Sequence, residues 1–442
     1  MVFEGEQTLG DVAELVRGVA YKPEALLTGA EPEAVPLLRA TNIGARRIDL
    51  GDVLYVPPQL VKKAQRVRKF DVLIAMSSGS RAAVGRLAQL RSDWSGTFGA
   101  FCGVLRANEE RVDPEFLGYL LYAPAFRARI ETHAAGTAIM NLSREHLLGF
   151  QVFLPPVRDQ RAIADLLGML DDRIDLLRQT NATLESIAQA LFKSWFIDFD
   201  PVRAKAKGRE PEGMDAATAA LFPSEFEESA LRAIPKGWAV QPIGELVEAV
   251  GGSTPDTKNE AYWEPATHHW TSPKDLSGAT APVLLDTERK VSASGLAKIS
   301  SGLLPVGTLL MSSRAPIGYL SLAQIPVAIN QGYIAMLPGG RLSPTYLYFW
   351  CKLHMDAIKG RANGSTFMEI SKKAFRPIPA VLPPREVIES FTGIADSVFR
   401  RLTANERQAR ELAEIRDTIL PRLISGKLRL PEAQEQIDEV CA

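Results

Sequence analysis

Cysteine is scarce and scattered in this chain: Cys102, Cys351 and Cys441 lie far apart, and none forms a C-x-x-C pair. Such thiols build neither a disulfide framework nor a cysteine-ligated zinc site, and they fit a reducing cytoplasm. No run approaches the roughly 18 apolar residues that a membrane-spanning helix needs. The opening MVFEGEQTLGDVAELV is acidic and has no apolar signal core, which predicts a protein that is not exported. Catalytic signatures are missing as well: there is no G-x-x-x-x-G-K-[ST], no H-E-x-x-H and no G-x-S-x-G. The three double prolines follow Val56, Leu154 and Leu382 and precede Gln59, Val157 and Arg385, so none forms the Asn/Asp-Pro-Pro-aromatic loop of an amino-methyltransferase.

Three weaker patterns carry little chemistry. FGAFCG (98–103) is a poor glycine loop for a nucleotide phosphate. Pro255-Asp256 followed by Glu288-Arg289-Lys290 matches a loose nuclease pattern with no counterpart elsewhere in the chain, and reads as loop charge. His268-His269 has no carboxylate or cysteine at ligand spacing, and neighbouring side chains on a strand point to opposite faces. No catalytic or metal-ligating set is expected.

What is present is a repeat. Leu154-Pro155-Pro156 precedes Leu382-Pro383-Pro384 by 228 positions, and the offset holds from Gly136/Gly364 through Met140/Met368, Ser143/Ser371 and Leu184/Leu412. A period this long is a duplicated domain, not a solenoid unit. Upstream the repeat is fainter and shifts: TLGDVAELVRG (8–18) resembles PIGELVEAVGG (242–252), and DPEFLGYLL (113–121) resembles SPTYLYFWC (343–351). Each copy has about 150 residues of short apolar stretches broken by Gly, Pro, Ser and Asn, predicting a mixed α+β domain. At 442 residues with 46% hydrophobic and 23% charged residues, the chain can bury more than one core.

After each double proline comes a helical run. Leu170, Ile174, Leu177, Asn181, Leu184, Ala188, Leu191 and Trp195 alternate steps of four and three, a heptad seam. The second copy gives Val398, Leu402, Asn405, Ala409, Leu412, Arg416, Ile419 and Leu423, with Pro421 and Gly426 expected to end it. Asn181 and Asn405 interrupt the seams where a polar residue fixes register. Two matched stripes in one duplicated chain predict that the helices pack on each other. Between the copies, 200–240 is rich in Pro, Gly, Glu and Lys and reads as a linker.

Charge is distributed unevenly within a net of −1. Residues 39–91 hold eleven Lys/Arg against three acids, and 341–376 hold seven against two. Basic patches inside a neutral protein are what binding to a phosphate backbone requires. The sequence therefore points to a binder with two similar halves.

The residues that follow carry a family. GTAIMNLSREHLLGFQVFLPPVRDQ, the long helix, SWFIDFDPVRAKAKGR, LFPSEFEES and IPKGW, in this order, resemble the specificity subunit of type I restriction–modification enzymes over essentially the whole chain. AINQGY (328–333) also resembles a pattern of that family's second half, whereas the first copy has TFGAFCG there, and Ile388 stands where the first copy has Gln160. The resemblance implies two target-recognition domains, 1–154 and 236–382. Spacer helices at 155–199 and 383–430 would run antiparallel in a pseudo-twofold internal repeat, with a linker at 200–235 and a tail at 431–442. It implies a non-catalytic subunit that binds double-stranded DNA at a split, asymmetric site and docks two copies of a methylation subunit and, through them, restriction subunits. The chain itself would bind no cofactor, with S-adenosylmethionine on the methylation subunit and ATP and Mg on the restriction subunit. A recognition subunit of a related phage-defence or two-subunit type II system shares these features, and a self-contained nuclease or methyltransferase lacks the motifs it needs.

DNA-contacting candidates follow from residue chemistry, since Arg, Asn and Gln pair bidentately with purine edges and Lys neutralises phosphate. In the first half they are Arg39, Thr41, Asn42, Arg46 and Arg47, the run Lys62, Lys63, Arg66, Arg68 and Lys69, and the loop Ser77, Ser78, Ser80 and Arg81. In the second half they are Ser272, Lys274, Ser312, Ser313, Arg314, Asn330 and Gln331, with Asn363, Ser365 and Thr366 in a turn.

Overall fold

A computed structural model describes residues 7–29, 31–78, 83–134, 140–364 and 368–441. The chain divides into two compact units, Met1–Asp172 with Leu412–Ala442, and Arg173–Glu411. No helix among the described residues is long and apolar enough to cross a membrane.

The first unit has an antiparallel sheet in the order Ala13–Arg17, Cys102–Ala107, Val72–Ala75, Leu87–Gln89. Beside it lies a three-stranded sheet, Leu54–Val56, Val35–Leu38, Thr97–Phe98, whose last strand runs parallel to the middle one. The second unit repeats the plan. Ala249–Val250, Tyr333–Met336, Leu309–Ser312 and Leu320–Ala323 form the antiparallel sheet, with Val283–Leu284 added in parallel at its edge. Arg289–Val291, His268–Thr271 and Ala328–Ile329 form the three-stranded sheet, again closed by a parallel strand. The fold is therefore α+β and written twice.

Short-range signals explain the helices shared by the two copies. Asp113 accepts hydrogen bonds from the backbone of Glu115 and Phe116 at 3.0 Å and starts Pro114–Tyr122; Ser343 accepts from Tyr346 at 3.2 Å and starts Pro344–Leu353. Each pairs a capping side chain with proline at the first helical position, where a missing N–H costs nothing. Ser143 and Ser371 cap Arg144–Leu148 and Lys372–Phe375 in the same way. Gly18 and Gly252, which end the faint upstream repeats, are required by close approach: a Cβ there would lie 2.1 Å from the Gly99 carbonyl oxygen and 1.8 Å from that of Ile329.

The first long helix is Val157–Phe192, the second Arg385–Ile424, and each contributes to both units. Within the second unit they are antiparallel: Asn181 meets Asn405, and further along Phe192 meets Phe391 with ring centroids 5.3 Å apart. Leu177, Ala188, Leu402 and Ala409 are buried in the seam, while Leu184, Leu191 and Val398 are half-buried at its flanks. Asn405 Nδ2 donates to Asn181 Oδ1 at 2.8 Å and Asn181 Nδ2 to the Leu402 carbonyl at 3.3 Å, both residues being buried. In the first unit Leu170, Ile163, Leu412, Ile419 and Leu423 are buried, and Ile174 is buried in the second. The seam position Arg416 is satisfied by ionic pairing with Asp171 and Asp417.

Three expectations change. Pro421 does not end the second helix, which continues to Ile424 and stops before Gly426 at φ 69°; a proline costs the helix one hydrogen bond, and here buried Leu420 and Leu423 hold the last turn in place. The tail at 431–442 lies almost wholly in a helix, Leu430–Cys441, with Ala433 and Ile437 buried. The linker at 200–235 is folded: helices Asp200–Ala206 and Ala216–Ala220 precede paired strands Phe226–Glu227 and Ile234–Pro235. Its Val202, Phe222 and Ile234 share a core with Phe192, Trp195, Phe196, Trp238 and Phe391. The π-helical turn Lys193–Asp198, ended by Phe199 at φ 57°, delivers these rings inward, so SWFIDFDPV packs the end of the first long helix into the second unit.

Candidate nucleic-acid interface

In both units loops converge where the two sheets meet, and three hydrogen bonds there correspond. Gly99 N donates to the Leu38 carbonyl at 2.9 Å, as Asn330 N does to Thr271 at 3.0 Å. Met76 N donates to Phe101 at 2.9 Å, as Ser313 N does to Gly332 at 2.8 Å. Leu142 N donates to Met76 at 2.9 Å, as Ile370 N does to Ser313 at 3.0 Å. Gly99-Ala100-Phe101 thus occupies the place of Asn330-Gln331-Gly332, so FGAFC and INQGY, unlike in sequence, are the same loop.

In the first unit the turn after Leu38 is held by Asn42, which accepts from Arg39 N at 2.8 Å and donates to the carbonyls of Asp49 at 3.0 Å and Asp52 at 2.7 Å. Asn42 is buried and has no free edge for a base. Arg39 reaches Asp52 at 2.7 Å, while Thr41 and Arg47 are exposed. Arg46 turns inward, its guanidinium 4.6 Å from the Tyr122 ring centroid and 2.9 Å from Asp417. Burial pulls its pKa down, and the nearby Arg416 adds to this.

The basic run 62–69 forms a loop carried from below. Arg106 donates to the carbonyls of Ala64 at 3.1 Å and Arg66 at 2.9 Å while gripping Asp71 with bonds of 2.9 and 2.7 Å. Asp71 in turn accepts from Arg68 N at 2.8 Å, and Thr97 Oγ1 donates to the Gln65 carbonyl at 2.7 Å. With the backbone tied inward, Lys62, Lys63, Arg68 and Lys69 are exposed and Arg66 is half-buried. Among the described residues Lys62, Lys63, Arg66 and Arg68 form no ion pair. Burial opposes the Arg106 charge, but its bonds to Asp71 win and raise its pKa. Neither Arg106 nor Asp71 stood out in the sequence.

The Ser77–Ser78 strand pairs with Met140–Asn141, adding a further edge to the cluster; Ser80 and Arg81 lie outside the described residues. In the second unit Ser272 opens the equivalent turn, its N–H and hydroxyl bonding Asp275 at 2.8 and 3.2 Å. Lys274 is exposed and pairs with Glu288 at 2.7 Å. Gln331 is exposed, its Oε1 accepting from Thr254 at 2.6 Å, and the half-buried Asn330 accepts from Gly332 N at 2.8 Å. Arg314 lies 3.7 Å from Glu369, whose backbone bonds Asn363 in both directions. Ser365 and Thr366 lie outside the described residues.

Two serines serve the scaffold. Ser312 is fully buried and bonds the Pro316 carbonyl at 2.7 Å, Tyr319 N at 2.8 Å and Gly318 N at 3.0 Å; Ser313 is buried as well. The basic excess at 341–376 is no single patch either. Arg341 bonds Gln241 at 3.0 Å, Arg376 bonds the Ala249 carbonyl at 2.9 Å, and Lys352 pairs with Glu185. Within the loose nuclease pattern, Glu288 is paired with Lys274 and Arg289 is stacked 3.4 Å from the Trp263 centroid.

Set beside known proteins, the chain matches the family model for a type I restriction modification DNA specificity domain twice, over residues 5–186 and 235–411. It is 28% identical over 369 residues to the type I restriction enzyme HindI specificity subunit of Haemophilus influenzae, covering 74% of this chain and 80% of that one. It is 36% identical to the EcoKI specificity subunit of Escherichia coli over 180 residues, 41% of this chain and 38% of that one. Its fold is similar to the solved S subunit of a type I restriction-modification system from M. genitalium, with a TM-score of 0.53, 17% identity and 95% of each chain covered. With the domain model matched twice along its length, and the same sheet plan and loop junction built in both units, the chain belongs to the type I restriction–modification DNA specificity family.

Proposed function

We propose that the chain reads a bipartite, asymmetric DNA target, one half-site through the loop junction of each unit. Its family makes it the DNA sequence-recognition subunit of a type I restriction–modification system, and not a catalytic one. The observation that carries the two-half-site reading is the junction built twice from equivalent hydrogen bonds but lined with different side chains. A common scaffold with unlike lining recognises two unlike sequences.

In the first unit the unpaired cations of 62–69, with Arg47, meet phosphates, and Arg39, Thr41, Ser77 and Ser78 face the bases. In the second, Gln331, Asn330, Lys274, Arg314, Asn363 and Ser272 do this work. Phosphate contacts set position and base-edge contacts set sequence. The recognition domains extend over 1–154 and 236–382, with the long helices between them as spacers. The chain assembles with other subunits of its system: two copies of a methylation subunit dock on it and hold S-adenosylmethionine, and restriction subunits, which use ATP and Mg, join through them. The assembly works in the cytoplasm, where its DNA is.

Exchanging residues 1–150 for those of another family member tests the reading. Mapping methylated adenines in cells that carry the exchanged complex should show one half-site changed and the other kept. A change in both half-sites would end it.

A further inference from the structure

Phe101 is 68% exposed, more than any other large apolar side chain among the described residues. Its backbone is fixed: the carbonyl accepts from Met76 N at 2.9 Å and Ser77 N at 3.3 Å, and Cys102 N closes the turn onto Gly99 at 2.8 Å. A loop held this firmly could turn a phenylalanine into the core, where its burial would help folding. Instead it offers the ring to water; a single exposed apolar side chain is common on protein surfaces, and what sets Phe101 apart is its place on this fixed loop junction.

The position identifies the partner. Phe101 stands at the tip of the loop that in the second unit presents Asn330 and Gln331. Arg39 follows directly on the Leu38 carbonyl that receives Gly99 N, and the strand leading to the loop is bonded through Thr97 to the basic run. An apolar ring on the loop junction taken above as the DNA-contacting surface complements a polyanion that carries an apolar point. Duplex DNA has one on its base edges, the 5-methyl group of thymine in the major groove.

Resting on the two-half-site reading above, we propose that Phe101 is a specificity-determining residue whose ring packs on the methyl group of one thymine in the half-site read by the first unit. The two units then use different chemistry on equivalent loops, Phe101 standing where the second unit has Gly332. Amides read hydrogen-bonding edges in one, and an aromatic ring reads a methyl in the other.

The test uses the full chain in complex with its methylation subunit, on duplexes bearing its mapped target. Each thymine of the first half-site is replaced singly by deoxyuridine, which removes only the methyl. One position should weaken wild-type binding about four-fold, the equivalent of one buried methyl group, and no deoxyuridine in the other half-site should reproduce this dependence on residue 101. Phe101→Ala should bind the thymine duplex less tightly and no longer distinguish it from the deoxyuridine duplex, while Phe101→Leu should keep the distinction. Wild-type affinity in Phe101→Ala, or a weakened variant that still discriminates, overturns the proposal. Loss of subunit assembly with discrimination intact also overturns it, since the ring then serves a protein contact. Failure of the two-half-site reading is seen separately, in the residue 1–150 exchange, which replaces Phe101 with the rest of that domain and is read by whether one half-site or both change.

Discussion

Asn42 and Lys63, both candidates for DNA contact by residue type, are held in opposite ways: one is buried in the scaffold and the other is exposed. Asn42 satisfies three backbone groups from a buried position, so Asn42→Ala takes a partner from Arg39 N and from the carbonyls of Asp49 and Asp52, of which Asp52 keeps the Arg39 guanidinium. It should cost about 1–3 kcal/mol of stability, visible as a lower melting temperature, while any DNA still bound by folded protein shows an unchanged salt dependence. Lys63→Ala and Arg68→Ala should do the reverse. Both side chains are exposed and form no ion pair among the described residues, so each loss should weaken binding across all sequences and reduce the slope of log K against log salt by about 1. Arg46→Ala belongs with Asn42, because its guanidinium is spent on Tyr122 and Asp417. From the sequence these residues looked alike. Residue type gives the capacity to bond, but whether a nearby carbonyl or carboxylate has already used that capacity is decided by tertiary contacts such as Asn42 to Asp52 and Arg46 to Asp417.

At the scale of elements, the pair Arg106 and Asp71 is the support of the basic loop. Removing one partner strands the other charge in the interior, so Arg106→Met should destabilise the first unit by about 3–5 kcal/mol. Replacing both, as Arg106→Met with Asp71→Leu, should recover much of the stability, since an apolar pair can fill a buried ionic site. DNA affinity should stay low, because the carbonyls of Ala64 and Arg66 have lost what held them. Recovery of both stability and affinity would show that the loop needs no such support. The long helices allow a second test. At 36 and 40 residues they are about 54 and 60 Å long at 1.5 Å per residue. Adding one heptad after Leu177 and one after Asn405 keeps the seam in phase and, if these helices set the unread spacer, lengthens it by about three base pairs at 3.4 Å per step. A variant that still methylates sites with the original spacing would rule out that role. The helices were legible because the heptad pattern is local; the folded linker was not, because Val202 and Phe222 are isolated apolar residues among charges until the rings of Trp195 and Trp238 close over them.

Over the whole molecule, the duplication was readable downstream and faint upstream for a geometric reason. From Leu142/Ile370 onward the two copies keep one spacing, but between Gly18 and Phe98 the equivalent residues drift as surface loops of different length intervene. Hydrogen bonds between strand ends confirm the pairing of Phe98 with Ile329, residues that the sequence placed opposite each other with no shared letter.

The division into units also bears on the order in which the chain becomes protein. The second unit is one uninterrupted stretch, Arg173–Glu411, whereas the first joins residues up to Asp172 with Leu412–Ala442. On a ribosome the later-coded unit is therefore the earlier to be completed, and the amino-terminal one waits for more than half of the chain to be synthesised before its closing helix exists. Through that interval Asp171 lacks the Arg416 guanidinium that pairs with it. Nascent chains arrested at residue 411 and challenged briefly with protease should keep 173–411 as a resistant fragment and lose the first 150 residues. Equal resistance of both would mean that the first unit closes without its carboxy-terminal segment. A cell making this subunit holds a half-finished DNA reader for that time, a natural point for a chaperone or another subunit of its system to take hold.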